Sequence, residues 1–274
     1  MSFEQSEGPQ ASLDISIIVP VYGNAGTLVE LHRRLYLVME RMQCAFEVIF
    51  VNDASPDDSL AILERLTRQD RRVCAIALEY NVGHHMAVLV GLAHARGAWC
   101  VVMDADLQDP PEAIPHLLSK ATDGFCAVFA GRRGRYESAG RLITSRLFKM
   151  MLHVLCGVPV DAGIFLAMDS SVRRCLLTMG GSYPSIVAMV GCTALPMASV
   201  PVIRDARPIG RTSYNSSGRI KSALHAIAWV FHWKLRLRMD AMKSFHGAVH
   251  GSPKIGLGHI PVAALMGARF RCCS

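Results

Sequence analysis

WCVVMDADLQDPPEAIPH (residues 99–116) passes from an apolar run straight into three aspartates, Asp104, Asp106 and Asp109, and then into two prolines. This pattern predicts a buried strand that ends at a polar loop and is followed by a helix start. Side chains two residues apart on a regular strand point to one face, so we expect Asp104 and Asp106 to share a face. Paired carboxylates with Gln108 nearby suit Mg2+ or Mn2+. A solvated acidic loop is the alternative, because D-x-D is a common pattern.

Three earlier apolar runs, rich in β-branched residues, also end in polar residues: ISIIVPVYGN (15–24), FEVIFVNDAS (46–55) and VCAIALEYNVG (73–83). Segments with helical periodicity lie between the runs, at about 27–43, 57–70 and 84–96. Apolar strands that alternate with helices predict an α/β fold in which a mainly parallel sheet is sandwiched by helices. Ligands bind such sheets beyond the carboxyl ends of the strands. Polar residues at those ends are therefore the candidate site.

The charge is divided unevenly between the two halves of the chain. Residues 1–130 contain 9 Lys and Arg against 17 Asp and Glu, whereas residues 131–274 contain 20 against 5. The acidic half suits a metal, and the basic half suits phosphate or anionic lipid. Aromatic residues make up only 7% of the chain, and no nucleic-acid-reading motif is present, so nucleic acid is not an expected partner.

Length and patterning predict one principal domain over residues 14–215. We expect a disordered N-terminus over 1–13, which is polar and has no apolar targeting segment. A basic tail that is partly helical and partly irregular is expected over 216–274. No uncharged apolar run reaches the roughly 18 residues that a spanning helix needs.

Several motifs in a consistent order resemble those of family 2 glycosyltransferases of the GT-A fold, in particular the polyprenyl-phosphate glycosyltransferases related to dolichyl-phosphate mannose synthase. The resemblance covers about residues 14–222. It is carried by IIVPVYGN, VNDASPDDS, NVGHHMAVLVGLAHARG, VMDADLQDPPE, FAGRRGR, SRLFKMMLHVLCGV and RDARPIGRTSY. It implies a GT-A domain with a short helical appendage, and metal-dependent, inverting transfer of a sugar to a polyprenyl phosphate such as undecaprenyl phosphate. The donor would be a UDP-sugar or GDP-mannose, and the reaction would take place at the cytoplasmic face of the cell membrane.

The resemblance also implies roles on the donor side. Pro20, Tyr22 and Asp53 would cradle the base and ribose, and Asp53 has the acceptor oxygens that a uracil or guanine N–H requires. A helix-capping role is the alternative for Asp53. Asn81 and Gly83 would approach the same ligand, and a plain turn is the alternative for them.

The metal role falls on the D-x-D segment. Asp104 and Asp106, with Gln108, would hold Mg2+ or Mn2+ against the donor diphosphate. Asp106 is on this basis also a candidate catalytic residue, because the cation neutralises charge that builds on the departing nucleoside diphosphate.

The acceptor side depends on arginines. Arg132 and Arg207 are candidate catalytic cations, and Arg204, Arg211 and Ser213 are candidate contacts of the acceptor phosphate, because guanidinium groups bind phosphate oxygens through two parallel bonds. Each arginine taken alone is more often a solvated surface residue, whereas the four together favour a function. The sequence shows no convincing catalytic base, and none is required, because a phosphate monoester is largely dianionic near pH 7 with a second pKa of about 6.

Two apolar and basic segments favour contact with a lipid surface. Residues 141–155 combine a basic stripe with a wide apolar arc, as an interfacial helix does, and a helix packed on the sheet is the alternative. In the tail, Trp229 and Trp233 stand beside Lys234, a combination that suits a lipid headgroup layer.

Some positions depart from the family pattern and leave other functions open. Ile164 stands where relatives have a polar residue, and Asp161 would replace that residue only through a backbone shift. Gly23, Asn24 and Ala25 follow Tyr22, where many relatives have Glu. A degenerate, non-catalytic protein that binds a nucleotide sugar or lipid is therefore one alternative, and a family 2 transferase with a different acceptor is another.

Overall fold

The structure is a computed structural model that describes residues 13–133, 139–179, 185–205, 223–235 and 271–272 of the chain. Its side chains are described over 13–131, 148–179, 185–205 and 223–235. The predicted disordered N-terminus, apart from residue 13, and most of the predicted 216–274 tail lie outside the described residues. Both therefore remain predictions.

Eight strands form one mixed sheet in the described residues. They are β1 (Ile15–Val21), β2 (Phe46–Asn52), β3 (Val73–Ala77), β4 (Trp99–Val102), β5 (Ala127–Arg133), β6 (Leu166–Asp169), β7 (Met197–Ile203) and β8 (Arg271–Cys272). Their order is β7-β5-β6-β4-β1-β2-β3-β8. The pairs β1 with β2, β1 with β4, β2 with β3 and β5 with β7 are parallel, whereas β6 runs antiparallel to both neighbours and β8 antiparallel to β3. The predicted, mainly parallel sheet is confirmed.

Helices cover both faces of this sheet. They are α1 (Leu28–Met42), α2 (Ser59–Gln69), α3 (His84–His94), α4 (Ile114–Ala121), α5 (Ala139–Cys156), α6 (Ser170–Thr178) and α7 (Ile186–Cys192), and residues 223–235 are also helical. One apolar cluster joins α1, α2 and α4 to one face, and a second joins α3, α6 and α7 to the other. Ile17 belongs to the first cluster and Ile18 to the second. Burial on both faces explains why the strand sequences are nearly continuously apolar, as expected for parallel strands.

Close packing of α3 on the sheet fixes the position of its N-terminus. Gly91 lies against β1 and β2, and a Cβ atom at this position would be only 2.4 Å from Ile18 Cγ2 and 3.2 Å from Val51 Cγ2. The missing side chain therefore lets the helix axis approach the sheet. His84, the first residue of α3, is consequently held at the carboxyl edge of the sheet.

The helical segment 223–235 packs beside the C-terminal end of α5. Lys234 Nζ donates a hydrogen bond to the carbonyl oxygen of Leu155. Trp229 is only 5% exposed, and its ring stacks on that of Trp233 with the centroids 5.8 Å apart. The expectation that Trp229 lies in a headgroup layer is therefore wrong, because its ring contributes to the core. Among the described residues, no helix combines the length and the apolar character needed to span a bilayer.

Candidate active site

The D-x-D segment lies in a loop, not on a strand. β4 ends at Val102, two residues before Asp104. The loop is attached to α1 by the Thr27 hydroxyl, which donates to the Ala105 carbonyl oxygen over 2.7 Å. The prediction that Asp104 and Asp106 share a face through strand alternation is therefore wrong, because that periodicity ends with the ladder of hydrogen bonds. Their relative positions depend instead on the contacts of each side chain.

Asp104 lies between a histidine and an arginine. Its Oδ1 is 3.4 Å from His84 Nε2, and its Oδ2 is 3.8 Å from Arg204 Nη2. The Oδ1 atom is buried and has no hydrogen-bond partner in the part of the chain that the structure describes. A buried acceptor without a partner is costly, and a ligand or ion that binds it removes that cost.

Asp106 and Gln108 form a local turn two residues further along the loop. Asp106 Oδ1 accepts a hydrogen bond from the Gln108 backbone N–H over 3.1 Å. Both side chains are half-buried. The predicted metal set of Asp104, Asp106 and Gln108 thus comes from one short loop. Among the described residues, no group of three or more His, Cys, Asp or Glu side chains is arranged to hold a metal ion.

A buried ion pair joins this loop to the end of β7. Asp109 is 2% exposed, and its Oδ1 accepts a hydrogen bond from Arg204 Nε over 2.6 Å. Burial of Arg204 disfavours its charged form, yet Asp109, Asp104 and Asp106 together raise the pKa of its guanidinium above the ordinary value. One guanidinium therefore serves as the counter-ion of three carboxylates.

Asp205, the residue after Arg204, is also held in place. The backbone N–H of Asp205 donates to the Gln108 carbonyl oxygen over 2.9 Å. Arg34 of α1 forms ion pairs with Glu112, at 2.5 Å, and with Asp205, at 3.3 Å. The end of β7 is thus bound to the D-x-D loop through backbone and side chains. Arg204, predicted as an acceptor-phosphate contact, lies directly beside the predicted metal ligands.

Asp53 holds the loop that precedes α3. Its two carboxylate oxygens accept hydrogen bonds from the backbone N–H groups of Val82, over 2.7 Å, and Gly83, over 2.9 Å. Asn81 Nδ2 donates to the Asp53 carbonyl oxygen over 3.2 Å. Burial raises the pKa of Asp53 above its ordinary value, although the two amides act in the opposite direction. The helix-capping alternative is wrong, and the predicted contact with a base remains a prediction.

The other predicted donor-side residues differ in their exposure. Pro20 is buried inside β1, whereas Tyr22, just beyond the strand, is 47% exposed. Gly83 has φ of 91°, a conformation that glycine adopts without strain, and a Cβ there would meet nothing within 4 Å. Backbone conformation, not crowding, therefore explains this glycine, which agrees with the turn alternative.

The sequence analysis did not identify the two histidines that begin α3. His84 faces Asp104, and burial together with its neighbour His84 lowers the pKa of His85 to about 3. The Nδ1 atom of His85 is buried and has no hydrogen-bond partner among the described residues. The sequence did contain a signal for these histidines: they directly follow the N-V-G turn. This turn and the D-x-D loop both follow strands of one sheet, so both lie at the same edge.

Most of the predicted acceptor side cannot be placed. Arg207, Arg211 and Ser213 lie outside the described residues. Arg132 belongs to β5, where it is in register with Val202, but its side chain is not described. Their roles remain predictions.

The departure at residue 164 has a clear structural counterpart. Ile164 is only 8% exposed and packs in the core, so its side chain cannot orient a phosphate. Asp161 instead lies over Gly131, where a Cβ atom would be 2.1 Å from Asp161 Oδ2 and 2.4 Å from Ser199 Oγ. The Ser199 hydroxyl is buried without a hydrogen-bond partner among the described residues. Asp161 thus lies beside β5, and whether it replaces the missing polar residue stays a prediction.

Comparison with known proteins identifies the class to which this fold and site belong. Residues 16–170 match the family described as "Glycosyl transferase family 2". The chain therefore belongs to glycosyltransferase family 2, as its motifs predicted.

Two relatives illustrate which glycosyltransferases the chain is similar to. The chain is 33% identical over 228 residues to the uncharacterized glycosyltransferase YkcC of Bacillus subtilis (strain 168), an alignment that covers 82% of this chain and 71% of that protein. It is 33% identical over 203 residues to the undecaprenyl-phosphate 4-deoxy-4-formamido-L-arabinose transferase of Shewanella sediminis (strain HAW-EB3), covering 73% of this chain. This alignment spans 61% of the Shewanella protein, so the chain corresponds to about three fifths of that relative.

Solved structures support the fold. Mannosyl-3-phosphoglycerate synthase from Rubrobacter xylanophilus matches with a TM-score of 0.60 at 18% identity, covering 84% of this chain and 75% of that one. Glucosyl-3-phosphoglycerate synthase from Mycobacterium tuberculosis, crystallised with Mn2+ and UDP-glucose, matches with a TM-score of 0.57 at 18% identity, covering 81% of this chain and 79% of that one. The predicted GT-A fold is confirmed.

Proposed function

We propose that this protein transfers one sugar from a nucleoside diphosphate donor to a polyprenyl phosphate, with inversion at the anomeric carbon and dependence on Mg2+ or Mn2+. The observation that carries the proposal is the convergence of Asp104, Asp106 and Arg204 at the carboxyl edge of the sheet, where such folds bind ligands. The similarity to undecaprenyl-phosphate arabinose transferases supports the choice of acceptor.

The chemistry of the D-x-D loop fits a divalent cation. Mg2+ is commonly bound by one or two carboxylates that share it with substrate phosphates, so two aspartates are sufficient. The buried Asp104 Oδ1 without a hydrogen-bond partner is an acceptor that such an ion would satisfy. Asp104 and Asp106, with Gln108, are the proposed ligands. When bound, the ion would neutralise charge on the departing diphosphate.

The acceptor phosphate needs positioning more than activation. One of its oxygens would attack the anomeric carbon while the bond from that carbon to the nucleoside diphosphate breaks and its electron pair leaves with the diphosphate. A single displacement of this kind inverts the configuration. Arg204, with Arg132, Arg207, Arg211 and Ser213, is proposed to hold the two repelling phosphates close together. Because the phosphate arrives already ionised, no side chain has to remove a proton.

A lipid acceptor requires contact with a membrane surface, which we propose lies at the cytoplasmic face. Exposed apolar side chains occur on α5 and on the helical segment 223–235, which packs beside the C-terminal end of α5. They are Met150, Val154, Leu224, Phe231 and Leu235, each between 58% and 77% exposed. Apolar side chains beside a basic residue such as Lys234 suit the boundary between headgroups and acyl chains.

Transfer of a labelled sugar tests the proposed reaction. UDP-glucose, UDP-N-acetylglucosamine, GDP-mannose and a UDP-aminoarabinose derivative would be offered with undecaprenyl phosphate, with and without Mn2+ or Mg2+. We expect transfer from one donor, strictly dependent on metal, and loss of at least about a hundredfold in Asp106→Ala. Asp123→Ala, which removes an exposed carboxylate just beyond the C-terminal end of α4, is the matched control. Undiminished turnover in Asp106→Ala contradicts the proposal.

Membrane contact is tested separately by flotation with vesicles that contain anionic lipid. Phe231→Ser should reduce the bound fraction several-fold, because it removes an exposed apolar side chain from the proposed surface. Val29→Ser removes a side chain that is 48% exposed on α1, and it should leave binding unchanged. Equal losses in the two variants would contradict this surface.

The buried Ile164 favours a second candidate, a non-catalytic protein that binds the nucleotide sugar alone. Its apolar side chain is buried in the core, at a position where the family resemblance implies a polar residue. Calorimetric binding of a nucleotide sugar, with no product on any lipid acceptor, would favour this candidate over the enzyme.

A further inference from the structure

The Arg204 side chain, directly after β7, lies against the acidic D-x-D loop, beside the residues proposed to bind a divalent cation. Its Nε donates to the buried Asp109, and its Nη2 lies 3.8 Å from Asp104 Oδ2. The side chain of Arg204 is only 18% exposed, so the guanidinium is confined to this position. Any metal bound by Asp104 therefore has a fixed positive charge as its neighbour.

The surrounding contacts keep the guanidinium from moving aside. Asp109 accepts the hydrogen bond from Nε of Arg204. The backbone N–H of Asp205, the residue after Arg204, donates to the Gln108 carbonyl oxygen and so ties the chain to the same loop. Withdrawal of Arg204 would leave Asp109, 2% exposed, as a buried carboxylate without its cation. Such a charge is strongly destabilising. The resting arrangement is therefore the one with Arg204 beside Asp104.

We propose that Asp109 is a positioning residue that holds Arg204 as the resident counter-ion of Asp104, so that a divalent metal binds tightly only together with a nucleoside diphosphate. This inference rests on the proposed function. A metal alone meets the repulsion of the guanidinium, whereas a diphosphate brings negative charge that both cations share. Binding of the metal and of the nucleotide is thereby coupled, and each raises the affinity for the other by the same factor.

The experiment compares Mn2+ affinity, measured by electron paramagnetic resonance, in the absence of nucleotide and with saturating UDP or GDP. The test variant is Asp109→Asn/Arg204→Met, which removes both charges, keeps the net charge constant and leaves no buried carboxylate without a partner. We expect wild-type protein to bind Mn2+ at least about tenfold more tightly with one of the nucleotides. In the variant, Mn2+ alone should bind roughly tenfold more tightly than in wild type, and the gain from the nucleotide should shrink.

The matched control is Glu47→Gln/Arg96→Met. It removes another acid–arginine pair, in which Glu47 is buried and Arg96 is exposed, with Nη2 of Arg96 at 2.6 Å from Oε2 of Glu47, at the amino-terminal edge of the sheet. This control should keep the wild-type coupling. Equal coupling in wild type and in the Asp109/Arg204 variant overturns this inference and leaves the proposed function intact. Absence of Mn2+ binding by wild type with either nucleotide overturns both.

Discussion

Replacement of Asp53 tests whether this residue anchors the loop before α3 or contacts the base of the donor nucleotide, two roles that the sequence alone did not distinguish. The Asp53 carboxylate accepts two backbone N–H groups, from Val82 and Gly83, inside a site where the residue is 2% exposed. A hydrogen bond to a charged group contributes about 1.5–3 kcal/mol. Loss of both bonds should lower the free energy of unfolding by about 4 kcal/mol. Asp53→Asn keeps one acceptor oxygen and should cost about 2 kcal/mol.

The assay is urea denaturation at equal protein concentration, and the m-value shows whether the transition stays two-state. Asp58→Asn is the control, because it makes the same change in charge five residues away on an exposed side chain, and it should alter stability by less than about 0.5 kcal/mol. UDP and GDP affinities would be measured on the same samples. The loop-anchoring role predicts that Asp53→Asn weakens both nucleotides alike, because the turn before α3 and His84 moves.

A loss below about 1 kcal/mol in Asp53→Ala would refute the reasoning, because two buried hydrogen bonds to a carboxylate cannot be that weak. If stability is kept while discrimination between UDP and GDP disappears, Asp53 reads the base, as the family resemblance implied.

Two further predictions concern α3. His85, with its pKa of about 3, stays neutral in the folded protein, whereas the unfolded chain takes up a proton at this residue below pH 6.5. The free energy of unfolding should therefore fall by up to about 1.4 kcal/mol per pH unit between pH 6.5 and pH 3. Unfolding measured over this pH range should show the slope in wild type and lose it in His85→Gln. Gly91→Ala places a Cβ 2.4 Å from Ile18 Cγ2 and should cost about 1–3 kcal/mol in thermal unfolding, and an unchanged melting temperature would show that α3 can move away from the sheet.

Much of the architecture was predictable because parallel strands have a local signature. A strand buried on both faces is apolar at almost every position, as in β1, where Ser16 is the one hydroxyl residue. The intervening helices show a period that differs from that of strands. The location of the D-x-D loop at a strand end was predictable for the same reason. The end of β4 at Val102, before Asp104, was not predictable, because the last strand residue depends on pairing with β1 and β6, which no local pattern specifies.

The sequence by itself determined the fold class, the family and the strand ends at which the polar residues gather, since these depend on composition and period over short distances. Only the tertiary structure decided the partner of each polar group. Arg204 and Asp109 are 95 positions apart in the chain, and Asp53 reaches Gly83 across 30. Which charges meet is determined by the order and stagger of strands in the sheet, and therefore by interactions between segments that are remote in sequence.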